Sequence, residues 1–231
     1  MHIDPKFVFV VVPAFNEGEV LHDVLHQLSE TGYQIVVVDD GSSDNTVQVA
    51  SMHTPHALRH MVNRGQGASL QTGIEYALQN DAEIIATFDA DGQHRIEDMQ
   101  TMIESIASGE SDVALGSRFL NKEWCQDVPK SRQALLRVAT AVQCTLTGTK
   151  LTDAHNGLRV LSRKAASKID LTNDRMAHAS EIIDQLFSIK DVTIREYPVR
   201  IRYTEYSRRK GQSWTDGFRI MFHYLISRVF E

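Results

Sequence analysis

The chain has 231 residues, of which 42% are hydrophobic and 23% are charged. This composition excludes a disordered or collagen-like protein, and at ~150 residues per domain the length predicts one large domain or at most two. Its 24 basic and 30 acidic side chains give a net charge of −6, which argues against nucleic-acid binding as its main role.

Cysteine usage and hydropathy both favour a cytoplasmic protein. Cys125 and Cys144 are far apart, so we expect free thiols rather than a disulfide framework. No apolar stretch approaches the ~20 residues that span a bilayer. The longest apolar run, residues 7–15, follows a lysine, but its acidic and polar flanks favour a buried strand over a signal peptide.

The first half of the chain alternates predicted strands with predicted helices. We expect strands at residues 7–12, 35–38, 57–62, 84–88 and 113–116, and helices at 19–29, 45–52, 67–79 and 96–107. The first two strands are apolar without alternation, which is typical of strands covered on both faces. This order predicts an α/β fold, a mostly parallel sheet with helices on both faces.

The second half is less regular. We expect a polar loop at 119–130, a helix at 133–146, a short strand at 157–161, a helix at 181–188, an extended segment at 192–203 and an amphipathic helix at 218–230. Because the sequence shows no repeat and no clear linker, we interpret residues 1–231 as a single domain.

Polar motifs follow the first four predicted strands. They read PAFNE at residues 13–17, DDGSSD at 39–44, NRGQG at 63–67 and DADGQH at 89–94. In open α/β sheets, ligands bind beyond the carboxyl ends of the strands. One polar cluster after a strand is common, whereas four on one edge of a sheet predict a binding site.

The fourth motif predicts a divalent metal. Asp89 and Asp91 are two residues apart on an extended chain, so both carboxylates point to one side and repel each other unless a cation lies between them. Hard oxygen ligands favour Mg²⁺ or Mn²⁺. Gln93 offers a neutral oxygen, and His94 offers a nitrogen that Mn²⁺ accepts. The alternative is a solvated turn in which an aspartate caps the next helix.

The other motifs are suited to a nucleotide. Asp39 and Asp40 offer acceptors for a nucleobase or for ribose hydroxyls, and Glu17 offers one for a ribose hydroxyl. The glycines of the third motif favour close approach to a ligand at a helix N-terminus that attracts anions. The alternatives are ordinary turn chemistry and a carboxylate that favours a helix start.

In this order, the four motifs resemble glycosyltransferase family 2, and the chain looks most similar to its dolichyl-phosphate mannose synthase-like, or polyprenyl-phosphate glycosyltransferase, branch. LGSRF at 115–119, TD at 152–153, NGLR at 156–159 and KGQS at 210–213 also fit that branch. The resemblance implies a GT-A fold, with a Rossmann-like sheet and a less regular acceptor-side segment. It also implies a UDP- or GDP-sugar as sugar donor, inversion at the anomeric carbon, and Mg²⁺ or Mn²⁺.

The resemblance also assigns roles to residues and to parts of the chain. It places a nucleotide-sugar half at about 1–117, an acceptor half at about 118–213 and a terminal amphipathic helix at about 214–231. Asp89, Asp91 and Gln93 would serve the metal, and Arg118 and Arg202 would meet phosphates. The residues expected around the nucleotide sugar are Pro13, Ala14, Phe15, Glu17, Asp39, Asp40, Gly41, Arg64, Gln66 and Asp89.

Several alternatives concern the acceptor. A polyprenyl phosphate of cell-envelope glycan synthesis is already an anion and needs little help from a base. A hydroxyl of a polysaccharide or glycolipid needs a carboxylate nearby, for which Glu181 or Asp184 is the candidate. A noncatalytic nucleotide-sugar-binding subunit and a nucleotidyltransferase are more distant alternatives.

Two departures from the branch concern its substrates. Gln66 stands where many lipid-phosphate members have lysine. Residues 153–157 also differ from the sequence that is common in those members. For residues 214–231, two interpretations stay open: contact with the inner face of the membrane, or packing against the domain itself or a second subunit.

Overall fold

The computed structural model describes residues 3–128, 130–174, 177–202 and 206. In this part of the chain seven strands form one sheet: β1 (Val8–Ala14), β2 (Gln34–Asp39), β3 (His56–Arg59), β4 (Ile84–Thr87), β5 (Val113–Ser117), β6 (Arg159–Ser162) and β7 (Ile194–Pro198). Their spatial order is β3-β2-β1-β4-β6-β5-β7. All neighbouring strands are parallel except β6, which lies antiparallel between β4 and β5.

Helices connect the strands. They are α1 (Leu21–Ser29), α2 (Thr46–His53), α3 (Gln66–Gln79), α4 (Ile96–Ala107), α5 (Lys130–Thr147), α6 (Arg163–Ala166) and α7 (His178–Ser188). Short 3-10 helices cover Pro5–Phe7 and Trp124–Asp127. Within the described residues, no helix is both long and apolar enough to cross a bilayer.

The sheet separates two hydrophobic cores, one on each of its faces. β1 is buried along its whole length, and its side chains alternate between the two faces. Val10 packs in the core that contains residues of α1 and α4, whereas Val11 packs in the core that contains residues of α3 and α7. The expected α/β architecture with helices on both faces is therefore confirmed.

Several predicted boundaries need correction. The third strand ends at Arg59 instead of residue 62, because the next residue, His60, turns inward to bind Asp40. The predicted strand at 157–161 begins later, at Arg159, and runs antiparallel. The predicted loop at 119–130 contains a 3-10 helix and the first residue of α5. The motif at 210–213 and the helix at 218–230 lie outside the described residues.

Candidate active site

A cavity of about 590 Å³ lies at the carboxyl ends of β1, β2 and β4. It brings together parts of all four strand-end motifs, as the sequence predicted. The predicted residues in its lining are Pro13, Ala14, Phe15, Glu17, Asp40, Gln66, Asp89, Asp91, Gln93 and Arg118. The predicted residues outside the lining are Asp39, Gly41, Arg64, Glu181 and Arg202.

Asp89 is held by side chains on both of its carboxylate oxygens. Gln66 Nε2 donates to Oδ1 at 3.0 Å, and His94 Nε2 lies 2.9 Å from Oδ2. Gly157 packs directly against the carboxylate, because a Cβ there would overlap Oδ2. Burial raises the pKa of Asp89, but His94 and Arg159 outweigh it and hold this pKa below its ordinary value. Asp89 is therefore a fixed, ionised carboxylate.

Asp91 differs from Asp89 in its electrostatics. Burial, followed by repulsion from Asp89, raises the pKa of Asp91 to about 6. Its Oδ1 accepts the backbone N–H of Gln93 at 3.0 Å, which holds the turn. Two carboxylates that destabilise each other in this way favour a cation between them.

The residues present fit a magnesium or manganese ion that is completed by a substrate. Such ions often bind one or two carboxylates and take their remaining ligands from phosphates and water. Asp89, Asp91 and Gln93 all line the cavity and offer oxygen ligands. Among the described residues, no cluster of three or more His, Cys, Asp or Glu suited to a metal occurs.

His94, expected as a possible nitrogen ligand, instead orients Asp89. Its ring is buried and packs edge-on against Phe88, with ring centroids 5.4 Å apart. Its Nδ1 is one of several buried polar atoms that lack a hydrogen-bond partner within the described part of the chain. Others that belong to cavity-lining residues are Ser69 Oγ, His155 Nε2 and Asn156 Nδ2. Their concentration here is typical of a site that a ligand or water completes.

Asp39 and Gly41 shape the second motif from outside the cavity lining. Asp39 is fully buried; its Oδ1 accepts the N–H of Ser42, and its Oδ2 lies 3.2 Å from Arg59 Nε. Gly41 has φ of 72°, and a Cβ there would press on the backbone of Val62. Both residues thus stabilise the turn, which is the usual role of aspartate and glycine at such positions.

Asp40 lines the cavity, but its carboxylate binds the chain itself. It accepts the N–H groups of Arg64 at 3.0 Å and Gly65 at 2.6 Å, and it contacts His60 Nδ1 at 2.7 Å. These bonds fix the third motif beside the second, and the expected role of Asp40 toward a nucleobase or ribose stays a prediction.

The glycine turn also differs from expectation. The N–H groups of Gly67 and Ala68 donate to the carbonyl of Asp174, at 2.8 and 3.2 Å. A Cβ on Gly67 would overlap the carbonyl oxygen of Asn173. The glycine thus permits close approach of the chain's own backbone rather than of a ligand. These helix-start donors are occupied, and Arg64 lies outside the lining with its Nη2 3.3 Å from Asp174.

The first motif presents both an aromatic ring and a carboxylate at the cavity. Phe15 is 41% exposed, which is unusual for so large an apolar side chain beside a buried strand. The backbone N–H of Glu17 donates to Thr46 Oγ1 at 2.9 Å, and the Tyr206 hydroxyl donates to the Glu17 carboxylate. Pro13 and Ala14 complete this wall.

The two predicted phosphate-binding arginines have other contacts. Arg118 is buried and pairs with Asp153 through Nε at 2.5 Å and Nη2 at 2.7 Å. Burial raises the pKa of Asp153, but Arg118 outweighs it and keeps this pKa below its ordinary value. Arg202 is exposed, and its backbone N–H donates to the Gln93 carbonyl at 2.9 Å. Arg118 therefore serves the local structure as well as the lining.

A second wall of the cavity, on α5, comes from residues to which the sequence analysis gave no role. Apolar side chains of α5 form one stripe, with Arg132 one turn before it; the stripe comprises Leu135, Leu136, Ala139 and Val142. Their spacing indicates a helix face but not its partner. His155 and Arg159 also line the cavity, where burial lowers the pKa of His155 to about 4 and that of Arg159 to about 10.

Neither candidate base lies in the lining. The Glu181 carboxylate accepts hydrogen bonds from the backbone of Thr172 and Asn173. Asp184 Oδ1 accepts from Gln143 Nε2 at 2.6 Å, which ties α7 to α5. The Glu181 oxygens thus bind a loop, and the expectation that Glu181 acts on an acceptor hydroxyl stays a prediction.

The comparisons with known proteins agree with this geometry. The model described as glycosyl transferase family 2 matches residues 9–170. An uncharacterized protein of Methanocaldococcus jannaschii, MJ1222, is 38% identical over 231 residues, which cover 99% of this chain and 95% of the relative. A UDP-N-acetylglucosamine–dolichyl-phosphate N-acetylglucosaminyltransferase of Methanococcus voltae is 29% identical over 97% of each chain.

Solved structures give the same fold. Glucosyl-3-phosphoglycerate synthase from Mycobacterium tuberculosis, crystallised with Mn²⁺ and UDP-glucose, superimposes with a TM-score of 0.65. The match covers 96% of this chain and 79% of that one, at 16% identity. The architecture is therefore that of a GT-A glycosyltransferase. The chain belongs to glycosyl transferase family 2 and resembles its polyprenyl-phosphate branch.

Proposed function

We propose that this enzyme transfers a sugar from a UDP- or GDP-sugar to a polyprenyl phosphate in cell-envelope glycan synthesis, with inversion at the anomeric carbon. The observation that carries the proposal is the make-up of the cavity. The paired carboxylates Asp89 and Asp91 lie in the same lining as an apolar face of α5 that begins one turn after Arg132. One cavity thus offers a cation site and a surface for an amphiphile.

The strand-end side supports binding of the nucleotide sugar. Phe15 offers an exposed ring to a base, and Glu17 offers a carboxylate to hydroxyl groups. Asp91, with Asp89 and Gln93 beside it, would hold Mg²⁺ or Mn²⁺. A divalent ion bound there would stabilise the negative charge that grows on the leaving nucleoside diphosphate.

The α5 side supports a lipid phosphate as acceptor. A guanidinium binds phosphate oxygens, and the apolar stripe that follows Arg132 can cover the first isoprene units of the chain. A phosphate is an anion at neutral pH and needs no base, which suits the positions of Glu181 and Asp184 outside the lining. The name of the Methanococcus voltae relative points the same way.

A polyprenyl phosphate lies in a membrane, so the proposal requires contact of the cavity mouth with a membrane surface. We propose peripheral association at its cytoplasmic face. The sequence-based expectations of a terminal amphipathic helix and of a homo-oligomer stay predictions.

The test is a transfer assay with a water-soluble, short-chain polyprenyl phosphate, so that no membrane is needed. UDP-N-acetylglucosamine, UDP-glucose and GDP-mannose are each supplied with Mn²⁺ or Mg²⁺, and the products are identified by mass spectrometry. We expect a glycosyl phosphate lipid from one sugar donor. Transfer only to hydroxyl acceptors, with none to the lipid phosphate, would refute the proposal.

Two variants of α5 sharpen this assay. Leu136→Glu places a charge in the cavity lining, whereas Val138→Glu places one on a side chain that is 54% exposed and outside the lining. We expect Leu136→Glu to raise the KM for the short-chain acceptor about tenfold or more, because the stripe no longer accepts an apolar chain. Val138→Glu serves as the matched control and should leave that KM near its original value.

A further inference from the structure

Glu181 holds a loop that packs against the start of α3. We name residues 171–174 the α3-capping loop. Glu181 Oε1 accepts the Thr172 N–H at 3.0 Å and its hydroxyl at 2.7 Å, and Oε2 accepts the Asn173 N–H at 2.9 Å. Burial raises the pKa of Glu181, but these hydrogen bonds outweigh it and lower the pKa. A general base for a hydroxyl benefits from the opposite shift.

The α3-capping loop binds the N–H groups of the second and third residues of α3. The Asp174 carbonyl accepts from Gly67 and Ala68, and Gly67 lacks the Cβ that would overlap the Asn173 carbonyl. The loop is also joined to α3 through the Leu171 N–H, which donates to Gln71 Oε1 at 2.9 Å. The position of the helix start thus depends on the position of the loop.

The helix start in turn carries the side chain that holds Asp89. Gln66 is the first residue of α3, and its Nε2 donates to Asp89 Oδ1 at 3.0 Å. An ionised carboxylate only accepts hydrogen bonds, so the amide must present its nitrogen to Asp89. A shift of the helix start would move this nitrogen and release one of the oxygens of Asp89.

We propose that Glu181 is a positioning residue for the nucleotide-sugar site, acting through the α3-capping loop and Gln66 on Asp89. The inference rests on the proposed binding of a nucleotide sugar at Asp89. It assigns to Glu181 an effect on binding of the sugar donor, whereas a base for the acceptor would affect only the transfer step.

The first test compares Glu181→Ala and Glu181→Gln with Glu30→Gln, an exposed carboxylate at the end of α1. Calorimetric titration with UDP and with GDP, each with Mn²⁺ and without acceptor, measures binding alone. We expect Glu181→Ala to bind the preferred nucleotide about tenfold more weakly, which equals about 1.4 kcal/mol. Glu181→Gln should lose less, because its amide oxygen still accepts from Thr172. Glu30→Gln should match the original protein.

Turnover kinetics separate positioning from proton transfer and from a merely structural role. If Glu181 is a positioning residue, the KM for the sugar donor rises more in Glu181→Ala than in Glu181→Gln, and the pH profile of kcat stays unchanged in both variants. If the role of Glu181 is merely structural, both variants have a lower melting temperature, but the KM for the sugar donor is unchanged at temperatures below it. If Ala and Gln lose kcat equally, keep nucleotide affinity and lose one limb of the pH profile, Glu181 is a base and the proposal is wrong.

The second test needs no ligand. Hydrogen exchange of the Gly67 and Ala68 amides in the original protein should be slow and should accelerate in Glu181→Ala, while β1 amides stay protected. Gly67→Ala disturbs the same contact from the α3 side and should weaken nucleotide binding similarly. Unchanged exchange in Glu181→Ala would overturn the proposal. If the original protein binds no nucleotide, the proposed function fails, while the exchange result still decides whether Glu181 holds the start of α3.

Discussion

The two sides of the cavity are organised by different kinds of contact. On the strand-end side, carboxylates bind groups in adjacent turns, as Asp40 binds the N–H of Gly65 and Asp89 binds Gln66. On the α5 side, distant segments meet: Arg118 pairs with Asp153, 35 positions away, and Gln143 binds Asp184, 41 positions away. The first side follows from strand order, whereas the second depends on pairings that only the complete fold creates.

The largest expected effect comes from breaking the buried ion pair of the α5 side. Asp153→Ala removes the buried carboxylate that pairs with the Arg118 guanidinium, so we expect the free energy of unfolding to fall by about 3–5 kcal/mol. Urea denaturation measures the loss. The matched control is Asp174→Ala, whose partner Arg64 is half-exposed and whose loss should cost about 1 kcal/mol or less. Equal losses of stability in the two variants would contradict the distinction between a buried and an exposed ion pair.

The next effect concerns the place where the two sides touch. Gly157→Ala adds a Cβ that overlaps Asp89 Oδ2 and must move this carboxylate. We expect kcat/KM to fall about 100-fold, since displacements near 1 Å in a catalytic site have effects of this size. The backbone of Gly157 is not in the left-handed region, so the added methyl group acts through this carboxylate and not through backbone strain. An active variant would show that Asp89 needs no fixed position.

Asp91→Asn tests the electrostatics of the strand-end side. The pKa of Asp91 rises from 3.8 to about 6 in the folded protein, so its ionisation destabilises the fold progressively above pH 3.8 and fully above about 6. The variant should therefore gain about 1–2 kcal/mol of stability at about pH 7.5 and nothing at about pH 3.5. Metal-free denaturation at both pH values measures this. A gain that is independent of pH would contradict the raised pKa of Asp91.

The smallest effect is expected for a single hydrogen bond from an uncharged side chain. Gln66→Met removes the amide that donates to the ionised Asp89 carboxylate at similar side-chain volume, so we expect kcat/KM to fall about 10- to 20-fold, or about 1.5 kcal/mol. Steady-state kinetics with the preferred sugar donor measures it. A loss as large as that of Gly157→Ala would mean that Gln66 contacts the substrate directly.

The sequence predicts the strand-end side well for physical reasons. Apolar runs such as that of β1 locate buried strands, and parallel strands place the turns after them on one edge. Motifs such as DAD then locate carboxylates near one another without further information. The expected fold is accordingly confirmed, and Asp89, Asp91 and Gln93 lie in one lining, while their role as metal ligands stays a prediction.

Contacts over long sequence distances could not be predicted. The spacing of Leu135, Leu136 and Ala139 indicates a helix face but not that this face lines a cavity. A glycine at position 67 is compatible with a ligand-binding turn as well as with a close backbone contact. A glutamate at position 181 is compatible with a general base as well as with a residue that holds a loop. Their actual roles depend on the α3-capping loop, which lies about 100 positions from Gly67 and has no sequence signal of its own.

The most direct test of the proposed site is calorimetric titration of UDP and GDP, with and without Mn²⁺, into the original protein and Asp91→Ala. We expect one nucleotide to bind only with the metal, and Asp91→Ala to weaken that binding about 100-fold, or about 2.7 kcal/mol. Binding of equal strength without metal and in Asp91→Ala would contradict a metal-assisted nucleotide site at the paired carboxylates.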